Sequence, residues 1–68
     1  MTPSEFKKAR HTLGLSLSQL SAILGTDSRT IRKWEADENL PTARRPNETA
    51  SRVMQWMLGG FRPPQWPD

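Results

Sequence analysis

The amino-acid sequence predicts an all-α domain of about four helices, with a helix-turn-helix at its centre. Apolar residues recur every three or four positions in four segments of the chain. Each segment follows a residue whose side chain can cap a helix, and three of the four segments are followed by glycine. Because the chain has 68 residues, we expect a single domain over residues 1-68, with a small core.

The first helix is predicted over residues 3 to 13. Thr2 can cap it, proline follows at the first helical position, and Glu5 lies three residues after the cap, as in a capping box. Gly14 can end the helix with a positive φ. The apolar face consists of Phe6, Ala9 and Leu13.

The second helix is predicted over residues 17 to 24. Ser16 and Gln19 form another capping box in front of it, and Gly25 stops it. Its apolar stripe consists of Leu17, Leu20, Ile23 and Leu24.

The third helix is predicted over residues 28 to 35. Either Thr26 or Asp27 caps it. Ile31 and Trp34 share one face, three positions apart, and we expect this face to be buried.

The C-terminal third is predicted to contain a loop, one helix and a tail. Two prolines prevent a continuous helix over residues 36 to 46. Asn47 caps a fourth helix that ends near residue 58, and the proline-rich residues 61 to 68 are extended. The apolar residues of this helix are Ala50, Val53, Met54, Met57 and Leu58.

The composition favours a polyanionic partner and argues against other classes of protein. Ten Lys and Arg residues against seven Asp and Glu give a net charge of +3 and an isoelectric point near 10.2. Without cysteine and with His11 as its one histidine, the chain is expected to hold no metal or other cofactor. It has no glycine-rich phosphate loop and no paired histidine and carboxylate, so we expect neither an enzyme nor a small-molecule substrate.

The hydropathy of the chain argues against a membrane location. The N-terminal residues are polar, and no stretch approaches the roughly 20 apolar residues of a membrane-spanning helix. We therefore expect no signal peptide, no membrane anchor, and a cytoplasmic protein.

Residues 17 to 35 have the pattern of a DNA-binding helix-turn-helix. If Ile31 and Trp34 are buried, the opposite face of the third helix is free to enter a major groove. Arg29 is the best candidate to read a base, because arginine can donate two hydrogen bonds to guanine. The predicted DNA contacts from this helix are Ser28, Arg29, Thr30, Arg32 and Lys33. An ordinary solvated face is the alternative.

Several short segments carry a family resemblance: Ala9-Arg10, Leu13-Gly14-Leu15-Ser16, Gln19-Leu20, Leu24-Gly25 and Thr30-Ile31-Arg32-Lys33-Trp34-Glu35. Over about residues 4 to 45, the chain resembles the Cro/cI-type helix-turn-helix repressors, also called the XRE family. The resemblance implies a lambda-repressor-like fold that binds double-stranded DNA. It also implies that Arg10 and Glu35 pair and pin the recognition helix to the first helix, although such an arginine can also approach phosphate.

The resemblance implies further phosphate contacts from two places. At the start of the second helix, Leu17 stands where the family commonly has glutamine, and leucine cannot donate a hydrogen bond. Ser18 and Gln19 are expected to replace that contact in part. In the loop after the recognition helix, Arg44 and Arg45 are suited to phosphate, with solvated loop charges as the alternative.

Residues 47 to 68 differ from many relatives, which build two short helices there, and are predicted to mediate dimerisation. A monomer of this size has little core in which to bury so many aromatic rings. The predicted dimer surface consists of Met54, Trp56, Met57, Phe61 and Trp66. The alternative is that the aromatic rings fold back onto the core of the monomer.

The sequence thus predicts a transcriptional regulator, in particular an autoregulating repressor that binds a near-palindromic operator as a homodimer. Small relatives of this type often serve phages, prophages, anti-CRISPR-associated operons or toxin–antitoxin systems. The alternative function is a protein-interaction adaptor or an antitoxin-type regulator that binds a protein partner through its aromatic tail.

Overall fold

The computed structural model of the protein describes residues 1–36, 39 and 44–67. These residues form four α-helices and no strand: α1 (Pro3–Thr12), α2 (Leu17–Leu24), α3 (Ser28–Trp34) and α4 (Glu48–Leu58). The predicted all-α fold with a central helix-turn-helix is confirmed. Helices α1 and α3 each end one residue earlier than predicted, at the caps Leu13 and Glu35. Most of the predicted loop, at positions 37, 38 and 40–43, lies outside the described residues, as does Asp68.

All four helices begin at a side-chain cap. In α1 the Thr2 hydroxyl accepts from the Glu5 N–H at 3.2 Å, and the Glu5 carboxylate accepts from the Thr2 N–H at 2.8 Å. Ser16 forms the same reciprocal box in front of α2. Asp27 caps α3 by accepting from the Thr30 N–H at 2.9 Å, which decides between the two predicted caps. These bonds satisfy donors that a helix start leaves without a helical partner.

The cap of α3 leads to a prediction about acid stability. Side-chain and backbone hydrogen bonds from Thr30 hold the pKa of the Asp27 carboxyl below its ordinary value of 3.8. A lowered pKa in the folded state stabilises the fold above pH 3.8, and this stabilisation is lost as the pH falls through the folded-state pKa. We expect the urea midpoint to fall between about pH 5 and about pH 2, and to fall less in Asp27→Asn, which caps without titrating.

Urea unfolding followed by circular dichroism at several pH values measures this effect. Some acid sensitivity should remain in Asp27→Asn, because hydrogen bonds from Thr2 also lower the pKa of Glu5. Identical pH profiles for the variant and the wild type would show that the cap does not depend on the charge of Asp27.

The core lies where the helices meet. Phe6 and Trp34 contact edge to face, with ring centroids 5.8 Å apart and an angle of 78° between the rings, so α1 is joined to α3. Leu15, in the turn between α1 and α2, is also buried, although the helical spacing of the sequence places it on no apolar face. The buried apolar residues are Phe6, Ala9, Leu15, Leu20, Ile31, Trp34, Ala50, Met54 and Met57.

The core corrects the predicted dimer surface. Met54 and Met57 have no exposed area, because they form the inner face of α4 and pack into the monomer. They cannot contact a second copy without unpacking the core, so they have to be removed from the surface predicted from the sequence.

Among the described residues, no helix is both long enough and apolar enough to cross a membrane. The longest, α4, has 11 residues, about half of the roughly 20 that a spanning helix needs.

Candidate nucleic-acid interface

The recognition helix α3 has one buried and one exposed face. Ile31 has no exposed area and Trp34 is 6% exposed, so both hold the helix against the core. The turn before the helix is tight because Gly25 adopts a φ of 66°, which side chains other than glycine rarely permit. On the outer face, Arg29, Arg32 and Lys33 are exposed, whereas Ser28 and Thr30 are half-buried.

An ion pair connects this helix to α1. The Arg10 Nε donates to Glu35 Oε2 at 2.7 Å and its Nη2 donates to Glu35 Oε1 at 3.0 Å. The side chains are only 11% and 6% exposed, so this is a buried bidentate pair rather than a surface contact. The Arg10 Nη1 also donates to the Leu15 carbonyl at 2.9 Å. One guanidinium therefore joins the end of α1, the turn before α2 and the end of α3.

This arrangement directs Arg10 inward. The resemblance allowed the arginine to approach phosphate, but its largely buried guanidinium donates to Glu35 and to the Leu15 carbonyl. The Arg10 Nη2 also lies 3.2 Å from the His11 Nε2. We therefore assign Arg10 a positioning role. The sequence reveals the arginine and the glutamate, but it carries no signal for the carbonyl acceptor.

The start of α2 presents polar groups beside this helix. Ser18 and Gln19 are exposed, while Leu17 is half-buried and packs against the core. The Gln19 Oε1 accepts from the Ser16 N–H at 2.9 Å, so the side-chain NH₂ group is left as the outward donor. N–H groups in the first turn of a helix, together with its dipole, favour an anion such as phosphate.

The end of the loop after α3 is attached to the recognition helix. The Arg44 N–H donates to the Lys33 carbonyl at 3.3 Å. The side chains of Arg44 and Arg45 are exposed. This bond places two more cations near the C-terminal end of the recognition helix.

The exposed residues thus form a cationic surface with a protruding helix. The major groove of B-DNA, about 12 Å wide, admits one α-helix, and cations beside it can contact phosphates. Among the described residues, no cluster of three or more His, Asp or Glu side chains could hold a metal ion. The structure therefore offers charge and shape for a polyanion.

The end of α4 presents apolar rings instead. The Gly60 N–H donates to the Met57 carbonyl and the Phe61 N–H donates to the Trp56 carbonyl, both at 3.0 Å, with a φ of 111° at Gly60. This is a Schellman motif, whose usual apolar contact is made here by Trp56 and Phe61, with centroids 6.2 Å apart. The two side chains are nevertheless 54% and 49% exposed, and nearby Leu58, absent from the predicted surface, is 45% exposed.

Trp66 packs against residues of its own chain. It is half-buried and packs against the core. The Arg62 guanidinium lies 4.2 Å from the centroid of its ring and donates to the Met57 carbonyl at 2.8 Å. The sequence allowed two alternatives for the aromatic rings, a dimer surface or packing against the core of the monomer. The second alternative applies to Trp66. The sequence pattern carries no signal for this role of Arg62.

The fold and this surface define a DNA-binding protein of the helix-turn-helix class. A model of the helix-turn-helix family HTH_3, of the XRE type, matches residues 6–45, more than half of the chain. The chain therefore belongs to this family, and it is a DNA-binding transcription regulator. Comparisons with curated proteins and with solved structures found no match.

Proposed function

We propose that the protein is a sequence-specific repressor that reads DNA with α3 and controls its own operon. The observation that carries this proposal is the exposed row of Arg29, Arg32 and Lys33 on a helix whose other face is locked by the core and by the Arg10–Glu35 pair. A rigidly held helix can place its side chains against base edges reproducibly. Nothing in this function requires catalysis.

Each side chain has a distinct proposed role. Arg29 and Ser28, near the N-terminus of α3, read bases, because this end of a recognition helix comes closest to base edges. The side chains proposed to contact bases or phosphates along and beside the helix are Thr30, Arg32, Lys33, Ser18, Gln19, Arg44 and Arg45. Phosphate contacts set affinity and orientation, whereas base contacts set sequence.

The proposed repressor acts as a homodimer on a near-palindromic operator. Two-fold dimers read half-sites about 34–36 Å apart, one helical turn of DNA. The exposed rings of Trp56 and Phe61 support self-association, because large apolar side chains grouped on a surface favour an interface. We infer the phage, prophage or anti-CRISPR-associated setting from the family resemblance.

Substitution of Arg29 is expected to relax sequence specificity. Sites enriched from random duplexes by the wild-type protein should share a two-fold symmetric sequence. Arg29→Ala should lose about 1–3 kcal/mol of discrimination at one base pair in each half-site, because a bidentate contact to guanine is removed. Selection followed by affinity titration on the enriched site and its single-base variants measures this loss.

A matched control comes from a cation proposed to bind phosphate. Arg45→Ala should weaken binding to all duplexes alike and reduce the slope of log K against log salt concentration by about 1 per subunit. If no sequence is enriched and both variants behave identically, base readout by α3 is wrong. The exposed aromatic rings, and an adaptor function through a protein partner, would then be the feature to study.

A further inference from the structure

A polar groove lies beside the first turns of α4. Its volume is about 440 Å³, and the residues that line it include Arg45, Glu48, Arg52 and Gln55. The last three recur at spacings of four and three positions, so they share one face of the helix. We call this feature the α4 groove. Its two arginines outweigh its single carboxylate, so its side chains carry a net positive charge.

Arg45 connects this groove to the recognition helix. On one side of it, the Arg44 N–H donates to the Lys33 carbonyl at the end of α3. On the other side, Pro46 is buried and Asn47 caps α4. The backbone of Arg45 is thus held between α3 and α4. The α4 groove is therefore continuous with the cationic surface beside the recognition helix.

Arg52 extends toward Arg45. Side chains of a helix lean toward its N-terminus, and the Arg52 Nη2 lies 3.2 Å from the Glu48 Oε1, one turn earlier. The guanidinium therefore lies beside the first turn of α4, which begins three residues after Arg45. Both arginines line the same groove.

The pair of Arg52 with Glu48 is easily exchanged. The two side chains are 59% and 87% exposed, and an exposed pair within one helix contributes little to stability. The one hydrogen bond to Glu48 uses one of the five N–H donors of the guanidinium. The other donors can bind a planar or tetrahedral anion, and arginine is well suited to phosphate.

We propose that the α4 groove binds the DNA backbone, and that Arg52 exchanges Glu48 for a phosphate when DNA binds. This inference deepens the proposed DNA reader and rests on it. The groove adds one phosphate contact per subunit to those of α3 and of Arg45. Glu48 opposes the incoming phosphate, so its charge limits the affinity for every duplex, whatever its sequence.

Two other grooves are less suited to a polyanion. The groove between α2 and α4, of about 150 Å³, is lined by no charged residue. The groove between α1 and α4, of about 320 Å³, is lined by Lys8 and Glu5, whose charges cancel. Of these three grooves, the α4 groove alone has a net positive lining that includes Arg45.

Arg52→Gln tests the contact on a mixed-sequence DNA duplex. We expect the slope of log K against log salt concentration to become shallower by about 1 per subunit. The dissociation constant at low salt should rise by about tenfold, because a charged hydrogen-bond donor is lost. Lys8→Gln removes the same charge from an exposed site outside the α4 groove and should change neither quantity. Circular dichroism and urea midpoints check that both variants fold.

Glu48→Gln should act in the opposite direction. Removing the carboxylate that competes for Arg52 should lower the dissociation constant about twofold to threefold at low salt. Glu5→Gln is the matched control, because Glu5 also lies in the first turn of a helix and a glutamine keeps its capping box. Glu5 lies outside the α4 groove, so this variant should bind DNA as the wild type does.

Ethylation of single phosphates on the duplex that the wild type selects locates the contact. Ethylation removes the charge of one phosphate. One phosphate in each half-site should weaken wild-type binding when ethylated and have no effect on Arg52→Gln. The remaining phosphates, including the one that Arg45 binds, should matter equally to both proteins.

The outcomes separate the groove from the reading of bases. If Arg52→Gln resembles Lys8→Gln, if Glu48→Gln resembles Glu5→Gln, or if both proteins respond alike to every ethylated phosphate, the α4 groove is wrong and DNA binding by α3 stands. If the wild type binds no duplex, both are overturned. If it binds duplexes without selecting a sequence, base readout fails, and the salt slopes still decide on the groove.

Discussion

Arg10→Met should lower the free energy of unfolding by about 3 kcal/mol, because it leaves the Glu35 carboxylate enclosed without a partner. The variant keeps most of the side-chain volume and removes the donors to Glu35 and to the Leu15 carbonyl. Urea unfolding at neutral pH measures the loss. DNA affinity should fall as well, because the end of α3 is no longer fixed to α1.

The chain supplies a matched control for this prediction. Arg52 and Glu48 also form an ion pair, with a separation of 3.2 Å, but their side chains are 59% and 87% exposed. Arg52→Met should cost no more than about 0.5 kcal/mol, as exposed pairs on one helix usually do. Equal small losses in the two variants would mean that the Arg10–Glu35 pair is an ordinary surface contact.

A double variant tests whether the unpaired charge of Glu35 causes the loss of stability in Arg10→Met. Replacing both Arg10 and Glu35 by methionine removes the pair without leaving a buried charge, so most of the lost stability should return. DNA affinity should recover less than stability, because an apolar contact lacks the fixed geometry of a bidentate pair. Recovery of neither property would indicate that packing, and not the unpaired charge, causes the loss.

Trp34→Ala should destabilise the domain by about 3–5 kcal/mol, since a buried aromatic ring is removed and a cavity remains. Trp34 is 6% exposed and its ring packs edge to face against Phe6. At roughly 0.05–0.15 kcal/mol per residue, the whole domain is stabilised by only about 3–10 kcal/mol. We therefore expect much of the variant to be unfolded at 25 °C, as measured by thermal melting and by the loss of helical circular dichroism.

Trp56→Ala is the control of matched chemistry. Trp56 is 54% exposed, so its removal leaves no cavity and should cost about 1 kcal/mol or less, mainly through the lost contact with Phe61. A similar loss of stability in both variants would contradict the assignment of Trp34 to the core. Trp34→Phe should retain part of the stability, because a smaller ring can still contact Phe6.

Much of the fold could be predicted because helix starts and ends are local features. The capping boxes of Thr2 with Glu5 and of Ser16 with Gln19 each span four residues, and both appear in the structure as predicted. The positive φ of Gly25 is likewise a property of one residue and its neighbours. Such signals need no knowledge of what a helix packs against.

The candidate site could be predicted in part, because the helical spacing of apolar residues is also a local feature. In α3, Ile31 and Trp34 are strongly apolar, whereas the intervening residues are cations and the preceding ones are polar or cationic, so one face is evident from helical spacing. In α4, apolar residues occupy several faces, and spacing alone does not separate Met54 and Met57 in the core from Trp56 on the surface. Only the packing of α1 against α4 makes that distinction.

The sequence by itself determined the four helices, the caps of α1, α2 and α4, the buried face of α3 and the family to which the chain belongs, because periodicity, capping and short motifs act over a few neighbouring residues. The tertiary structure decided that Arg10 faces inward, that Leu15 is buried in a turn, and that Trp66 folds back while Trp56 and Phe61 remain exposed. These outcomes depend on contacts between residues distant in the chain. The Arg10–Glu35 pair, 25 positions apart, is the plainest example.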